Sequence, residues 1–288
     1  MPGTLLSLGH GYTARALSRR LVAQGWRVIG TTRDEGKAAQ IRAEGAEAVV
    51  FPPEDAAALV RGATHLLVSA GPDRHGADPA RAAMEDAIRA EGGGLQWAGY
   101  LSTTAVYGDL DGGWVDENGA LNPGTSRGKA RVAAEEGWSA LAAAAGFPLH
   151  IFRLAGIYGP GRGPFAKVRE GKARRIVKPG QVFSRIHVED IATILQASMA
   201  RPRAGAVYNV CDDLPAPPED VIEEAARLLG LPIPPAVDFD EAEMTPMARS
   251  FYAECKRTSN ALLRDELGVA LAYPTYREGL RALLAEEG

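Results

Sequence analysis

Short apolar runs alternate with helix-like segments through the first half of the chain, beginning with TLLSL at Thr4–Leu8. The segment Tyr12–Gln24 keeps its apolar side chains on one helical face and its arginines off that face, and Gly25 ends it. A parallel sheet that is covered by helices on both faces produces this alternation. The pattern therefore predicts a doubly wound α/β fold.

The same alternation continues to about residue 155 and then breaks. Strands are predicted over Arg27–Thr32, Ala46–Phe51, Leu66–Ala70, Leu95–Ser102 and Leu149–Leu154, and helices over Asp34–Ala43, Pro79–Glu91 and Ser126–Ala145. Asp34 is a candidate N-cap of its helix. Later segments rich in Gly and Pro interrupt short elements. We therefore expect a larger domain over 1–155, to which segments near 182–210 return, and a smaller discontinuous lobe mainly within 156–288.

The turn between the first strand and the first helix has a glycine-rich sequence. Its residues are Gly9, His10, Gly11, Tyr12, Thr13 and Ala14. A pyrophosphate can approach the backbone at a helix N-terminus only where the side chains are small, and this GxGxxA spacing between a strand and a helix supplies such a turn. The sequence therefore predicts a Rossmann-type domain that binds a dinucleotide, with pyrophosphate at this turn.

The end of the second strand bears on which dinucleotide is bound. NAD-binding domains usually place an acidic residue there for the ribose 2′-hydroxyl, whereas this chain has Thr32 and Arg33. A guanidinium is well suited to a 2′-phosphate, so NADP(H) is favoured over NAD. The alternative is that Arg33 is a surface arginine and that Asp34 reaches the ribose of NAD. After the fourth strand, Ser69, Ala70 and Gly71 are further candidate cofactor contacts.

Composition narrows the class of protein. The 288 residues are 46% hydrophobic and 24% charged, which is ordinary for a globular protein, and the net charge of −4 gives no basic surface for nucleic acid. Cys211 and Cys255 are far apart and form no metal-binding motif, so no metal is expected. Without a signal-peptide pattern or a long apolar run, we expect a cytoplasmic protein with no membrane partner.

Several motifs, taken as an ordered set, carry a resemblance to a known family. They are LSTTAVYG at 101–108, FRLAGIYGPG at 152–161, IHVEDI at 186–191, YNV at 208–210 and KRTSN at 256–260. Together they resemble the extended short-chain dehydrogenase/reductase superfamily, the NAD-dependent epimerase/dehydratase-like group, and a divergent bacterial branch of it. The resemblance spans the chain and implies a small-molecule substrate in a cleft between the two lobes; a homodimer is a family expectation only.

The resemblance also implies catalytic roles. By spacing to the Tyr-Gly pair, Thr103 matches the Ser/Thr that holds the reacting oxygen, with Ser102 beside it, and Lys129 matches the lysine that holds the nicotinamide ribose. Thr125 stands where the family has its proton-transferring tyrosine. An aliphatic hydroxyl is a poor acid or base at neutral pH, so Tyr107 is a candidate substitute, although in the family this tyrosine usually shapes the site.

Two functional hypotheses follow. The first is an NADP(H)-dependent oxidoreductase or epimerase/dehydratase-like enzyme acting on a small polar substrate, sugar-derived or anionic, with Arg162 and Arg185 as candidate substrate contacts. A nucleotide-sugar enzyme that uses another base is a variant of it. The second is a non-catalytic NAD(P)(H)-binding sensor or scaffold, which the absence of the family tyrosine motivates. The sequence names neither the substrate nor the oligomeric state.

Overall fold

The computed structural model describes residues 2–287. Within them the strands are β1 Thr4–Leu8, β2 Arg27–Thr32, β3 Glu47–Val50, β4 His65–Val68, β5 Trp97–Thr103, β6 Trp114–Val115, β7 Leu149–Leu154, β8 Gly156–Tyr158, β9 Arg175–Val177, β10 Arg185–His187, β11 Ala206–Val210, β12 Ala236–Asp238 and β13 Arg257–Thr258. The α-helices are α1 Tyr12–Ala23, α2 Glu35–Ala43, α3 Ala56–Arg61, α4 Pro79–Glu91, α5 Ser126–Ala145, α6 Phe165–Arg169, α7 Val188–Met199, α8 Pro218–Leu228, α9 Pro246–Phe251, α10 Ala261–Asp265 and α11 Tyr276–Glu287. Short 3-10 helices cover Gly92–Gly94 and Thr104–Tyr107.

Seven strands form the central sheet in the order β11-β7-β5-β4-β1-β2-β3. Every neighbouring pair in this sheet is parallel. The carboxyl ends of its strands therefore meet at one edge, and the loops that leave this edge build the cleft described below.

Helices cover both faces of the sheet. Side chains alternate along β1, so that Leu5 packs into the core beneath α1 and α7 while Leu6 and Leu8 pack into the core beneath α4 and α5. Helices α1 and α5 bury one stripe each against these cores. The two-sided burial explains why the strands read as nearly continuous apolar runs in the sequence.

The smaller lobe has its own core, which α6, α8 and α11 build around residues such as Phe165, Ala225 and Leu280. Three two-stranded parallel pairs, β8–β10, β9–β12 and β6–β13, attach its segments to one another and to the loop after β5. Strand β8 follows β7 directly, so the chain enters this lobe from the carboxyl edge of the central sheet.

The predicted α/β class is confirmed. Strands β1, β2 and β7 and helices α4 and α5 have the predicted bounds, and Asp34 caps α2 by accepting a hydrogen bond from the amide of Lys37 at 2.8 Å. Strands β3, β4 and β5 begin or end a residue or two from the prediction, and α3 was not predicted because it has only six residues. Within residues 2–287, no helix has both the length and the apolar character needed to cross a membrane.

His150, in β7, is a fully buried histidine whose hydrogen bonds require the neutral ring. Its Nε2 accepts from the amide of Arg203 at 2.7 Å, and its Nδ1 lies 2.7 Å from the hydroxyl of Ser198. An accepting Nε2 places the single ring proton on Nδ1. Burial lowers the pKa of His150 from 6.5 to about 4.

This lowered pKa predicts a defined loss of stability in mild acid. Above about pH 6.5, the pKa of this ring in the unfolded chain, the ring is neutral in both the folded and the unfolded chain, and its titration does not affect stability. Between about pH 6.5 and pH 4 the unfolded chain binds a proton that the folded ring does not, so the free energy of unfolding decreases as the pH falls. Wild type should lose about 1–2 kcal/mol more than His150→Gln between about pH 7 and pH 5 in urea unfolding. The exposed His75→Gln variant is the control and should follow wild type. Equal losses in all three proteins would contradict the prediction.

Candidate functional site

A cleft of about 1020 Å³ opens at the carboxyl edge of the sheet. The sheet side contributes the loops after β1, β4, β5 and β7 together with the start of α5, and the smaller lobe contributes β10, α9 and the segment that leads into β13. A cleft of this size at the carboxyl edge of a parallel sheet is a typical site for a nucleotide and a small substrate.

The glycine turn after β1 can accept only glycine at its first position. Gly9 has a φ of +80°, and a Cβ there would lie 2.7 Å from the amide nitrogen of Ala70. The Gly9 amide donates to the hydroxyl of Thr31 at 2.9 Å, and the Ser69 hydroxyl donates to the Gly9 carbonyl. The turn is therefore held between the ends of β2 and β4.

The first turn of α1 is open to an anion. Gly11 is its N-cap residue, no side chain caps the helix, and its first turn contains no acidic residue. Gly11, Tyr12 and Thr13 line the cleft. Unsatisfied amides at a helix N-terminus attract a phosphate, so these residues fit the pyrophosphate of a dinucleotide.

The remaining residues of this turn have packing roles. The His10 ring lies against Gly30 beneath the turn, and burial lowers the pKa of His10 to about 4. Ala14 is buried against the core. The Tyr12 hydroxyl donates to the carbonyl of Pro160 at 3.0 Å, so Tyr12 joins the cofactor turn to the smaller lobe.

The end of β2 presents one arginine to solvent. Arg33 is exposed, whereas the carboxylate of the neighbouring Asp34 is engaged in capping α2. The Thr32 hydroxyl accepts from the Asp34 amide at 3.3 Å. Neither Thr32 nor Arg33 is among the residues that line the cleft, and both lie at the strand end beside the glycine turn.

Two hydroxyl residues end β5 with different surroundings. Thr103 lines the cleft, and its Oγ1 accepts from the amide of Ala105 at 3.3 Å. Ser102 also lines the cleft but is nearly buried, and its hydroxyl donates to the carboxylate of Glu135 in α5. Thr103 is therefore the hydroxyl that can reach a molecule in the cleft.

The start of α5 presents two arginines to the cleft. Thr125 is the N-cap residue, because its Oγ1 accepts from the amide of Gly128 at 3.0 Å. Arg127 and Arg131 line the cleft, but Lys129 is exposed and does not. Residues four apart share a helical face, whereas a residue two positions away points about 200° around the axis. The arrangement corrects the expectation for Lys129: its side chain is on the wrong face of α5 to hold a ribose in the cleft.

Arg131 is fixed at the end of the sheet. Its Nη1 donates to the carbonyl of Leu101 at 2.7 Å and to the hydroxyl of Tyr100 at 3.3 Å, and its guanidinium packs on Gly71 after β4. Arg127 is more exposed and lies 5.0 Å from the ring centre of Phe251 in α9. These two arginines occupy the spacing, four residues apart, that the family resemblance assigned to Tyr and Lys.

A buried polar network lies beneath this part of the cleft. Arg153 in β7 and Glu135 in α5 form an ion pair with an Nη2–Oε2 distance of 2.9 Å, and their side chains are only 6% and 4% exposed. Arg153 also donates to the hydroxyl of Tyr107 at 2.9 Å, and that hydroxyl donates to Oδ1 of Asn209 at 2.7 Å. The network ties β5, β7, β11 and α5 together.

This network also decides the position of Tyr107. The side chain is fully buried, is absent from the cleft lining, and has its hydroxyl engaged on both sides. Burial raises the pKa of Tyr107. The structure thus corrects the idea of Tyr107 as a substitute acid or base, because its hydroxyl does not reach the cleft.

The smaller lobe brings further arginines to the cleft. Arg162 lies 5.8 Å from the ring centre of Tyr12, and the guanidinium of Arg185 donates to the carbonyls of Phe183 at 2.8 Å and Ala216 at 3.0 Å. Both line the same cleft as Arg127 and Arg131. The lining of the cleft therefore carries an excess of positive charge, since Glu254 is the acidic residue among the described lining residues.

The match to known proteins agrees with this geometry. Residues 8–211 match the model of the NAD dependent epimerase/dehydratase family. The chain belongs to this family. It is 30% identical over 239 residues to protein YeeZ of Escherichia coli strain K12, covering 79% of this chain and 84% of YeeZ.

Solved structures of similar proteins span the whole chain. A conserved protein of unknown function from Silicibacter pomeroyi is 62% identical, with a TM-score of 0.94 and 99% of each chain covered. The UDP-glucuronic acid 4-epimerase of Bacillus cereus, in complex with UDP-glucuronic acid and NAD, has a TM-score of 0.80 at 16% identity, covering 99% of this chain and all of the epimerase chain. The second likeness shows a shared fold alone.

The structure brings together most of the site residues expected from the sequence of this epimerase/dehydratase family member. Those that line the cleft are Gly9, Gly11, Tyr12, Thr13, Ser69, Ser102, Thr103, Arg162 and Arg185. Those outside the lining are His10, Ala14, Thr32, Arg33, Ala70, Gly71, Tyr107 and Lys129. Arg127 and Arg131 were missed, although the buried Trp138 lies eleven and seven residues after them on the same helical face and could have revealed them.

The buried ion pair beneath the cleft predicts strong coupling between Arg153 and Glu135. Arg153→Met leaves the Glu135 carboxylate buried without its partner and should cost about 3–5 kcal/mol of unfolding free energy. The double variant with Glu135→Leu should recover a large part of this loss, since no unpaired charge remains. Urea unfolding of the wild type, both single variants and the double variant measures the coupling. Additive single effects would show that the two charges do not depend on each other.

Proposed function

We propose that this protein is an NADP(H)-dependent oxidoreductase or epimerase-like enzyme that acts on a small anionic substrate. The observation that carries the proposal is the combination, in one cleft, of an uncapped helix N-terminus at Gly11 with the arginines Arg127, Arg131, Arg162 and Arg185. The first feature suits a dinucleotide pyrophosphate, and the second suits a phosphate or carboxylate on the substrate. The nucleotide-sugar ligand of the B. cereus epimerase is one compound of this charge.

The end of β2 supports NADP(H) over NAD(H). Arg33 is exposed beside the glycine turn and offers a planar fork of donors to a 2′-phosphate. Asp34, the residue that would have to hold a free 2′-hydroxyl, already accepts a hydrogen bond within α2. NAD(H) remains the weaker ligand in this proposal.

The preference can be measured by titration of nicotinamide fluorescence. Arg33→Ala should weaken NADPH binding about tenfold or more, since a charge-assisted hydrogen bond contributes about 1.5–3 kcal/mol, and should leave NADH binding unchanged. Arg42→Ala, another exposed arginine near the end of α2, is the matched control and should change neither affinity. If Arg33→Ala affects neither cofactor, the NADP(H) preference is wrong.

Arg131 takes the place that the resemblance assigned to Lys129. Its guanidinium is held between Gly71, Tyr100 and Leu101 at the carboxyl ends of β4 and β5. Only one of its nitrogens is used in those hydrogen bonds, so further donors can bind the nicotinamide ribose. When bound, the nicotinamide supplies hydride chemistry, and Thr103 would hold the reacting oxygen of the substrate.

This assignment gives opposite expectations for two neighbouring basic residues. The substrate panel is a set of UDP-sugars and anionic sugar derivatives. Net oxidation or reduction should be followed by nicotinamide absorbance, and epimerisation, which leaves the cofactor unchanged, by chromatography of the sugar product. Arg131→Ala should lower kcat/KM about 100-fold or more, because the cofactor loses a positioning contact, whereas Lys129→Ala should keep wild-type activity. If Lys129→Ala loses activity and Arg131→Ala keeps it, Lys129 is the family lysine, as the sequence predicted.

A second candidate function is a sensor or scaffold that binds NAD(P)(H) without hydride transfer. The specific observation in its favour is that the cleft face of α5 presents Arg127 and Arg131, and a guanidinium does not exchange its proton near neutral pH. NADPH binding by calorimetry without turnover of any member of the panel would favour this function.

A further inference from the structure

The KRTSN motif at 256–260 contributes an ion pair to the cleft that the proposed function has not used. Lys256 and Glu254 both line the cleft, their side chains are each 11% exposed, and Nζ lies 2.8 Å from Oε2. Within residues 2–287, the second carboxylate oxygen of Glu254 is buried and has no hydrogen-bond partner. A buried polar atom of this kind is uncommon in proteins and is a frequent feature of binding sites.

Hydrogen bonds fix this segment to the loop that follows β5. The Cys255 amide donates to Oδ1 of Asp109 at 2.7 Å, and the Cys255 carbonyl accepts from the amides of Leu110 at 3.1 Å and Gly112 at 3.0 Å. Arg257, two residues after Cys255, begins strand β13, which pairs with β6. The backbone on both sides of Lys256 is therefore held by hydrogen bonds to the segment that follows β5.

The pair and the loop that follows Thr103 both come close to the N-terminal end of α5. Glu254 comes close to Gly124, since a Cβ on that glycine would lie 3.9 Å from Oε1. Likewise, a Cβ on Gly128 would lie 3.0 Å from the carbonyl of Ala105, two residues after Thr103. The first turn of α5 is the place where the family resemblance put the proton-transferring tyrosine.

Other groups of the cleft are poorly suited to proton exchange. The tyrosines that line it are Tyr12, Tyr158 and Tyr252, and burial raises the pKa of each. The hydroxyl of Tyr12 already donates to Pro160. The arginines keep their protons at all ordinary pH values. Among the described residues that line the cleft, Lys256 is the amine, and its hydrogen bond to Glu254 uses one of its three N–H donors, so the others can reach a molecule in the cleft.

We propose that Lys256, held in place by Glu254, is the residue that exchanges a proton with the reacting oxygen of the substrate. This inference rests on the proposed oxidoreductase function. In the direction of carbonyl reduction, a bound reduced nicotinamide would supply the hydride that the carbonyl carbon gains, and the carbon–oxygen π bond would break. The oxygen takes a proton as an Nζ–H bond of Lys256 breaks, and the amine regains a proton from water. The substrate is reduced and the nicotinamide is oxidised.

Chemical labelling tests the placement of Lys256 without any need for turnover. Pyridoxal 5′-phosphate, an anionic aldehyde, should form an imine with Lys256, which borohydride reduction traps for peptide mass spectrometry. Glu254→Gln should raise labelling of Lys256 several-fold, because the amine is released from its ion pair. The exposed pair Lys172–Glu170 has the same two-residue spacing, and Glu170→Gln should change labelling of Lys172 less than about twofold.

Two outcomes would overturn the proposal. In the first, Lys256 stays unlabelled while Lys129 and Lys172 are labelled, so the amine does not face the cleft. In the second, Lys256→Arg turns over a carbonyl substrate as fast as wild type, which would show that residue 256 does not need to transfer a proton to the substrate. The expected result is a loss of kcat of about 100-fold or more in both Lys256→Arg and Lys256→Gln, with NADPH affinity and melting temperature retained. Labelling of Lys256 in a protein that binds no NADPH would instead refute the proposed function alone.

Discussion

The ion pair between Arg153 and Glu135 fixes the geometry on which the rest of the site depends. Two opposite charges that are almost completely removed from water are stable only when each keeps its partner, so the pair cannot slide or rotate. Ser102 and Tyr107 satisfy further atoms of the same pair. Helix α5 therefore has one permitted rotation about its axis relative to β5 and β7. With Glu135 turned inward, the residues one and two turns earlier, Arg131 and Arg127, must face the cleft.

That constraint explains why the glycine turn after β1 could be predicted from the sequence and the two arginines on the cleft face of α5 could not. The glycine turn depends on the backbone, because Gly9 has a positive φ and packs against Ala70, so only glycine fits. The glycines of the sequence are therefore enough to predict the turn. The face of α5 depends on a distant partner, Arg153, and a motif aligned on Lys129 alone contains no trace of it. The buried positions of Trp138 and Leu141 did contain the correct helical phase.

The fold shows the same division. Strand β1 and helix α4 were predictable to the residue because their apolar period and end signals agree with their burial. Helix α3 escaped prediction because its six residues give too few turns for a period, and its Asp55 cap lies just after two prolines. For the smaller lobe, the sequence predicted only that Gly- and Pro-rich segments interrupt short elements. Its strands have two or three residues and pair with segments remote in sequence, so no periodic pattern reveals them.

The cleft contains backbone groups that can bind an anion and side chains that could take part in a reaction, and these two sets of groups lie on different segments of the chain. Backbone amides at the start of α1 attract an anion whatever the neighbouring side chains are, so this part of the cleft depends on the backbone more than on side-chain identity. Proton exchange needs an ionisable side chain other than a guanidinium, and within residues 2–287 the ionisable groups that α5 presents to the cleft are guanidiniums. The strand pairing of β13 with β6 brings Lys256 to the vicinity of that helix, from a segment more than one hundred residues later in the chain. Because β13 belongs to a two-stranded sheet separate from the seven-stranded one, a residue of this segment can line the cleft without disturbing the central sheet.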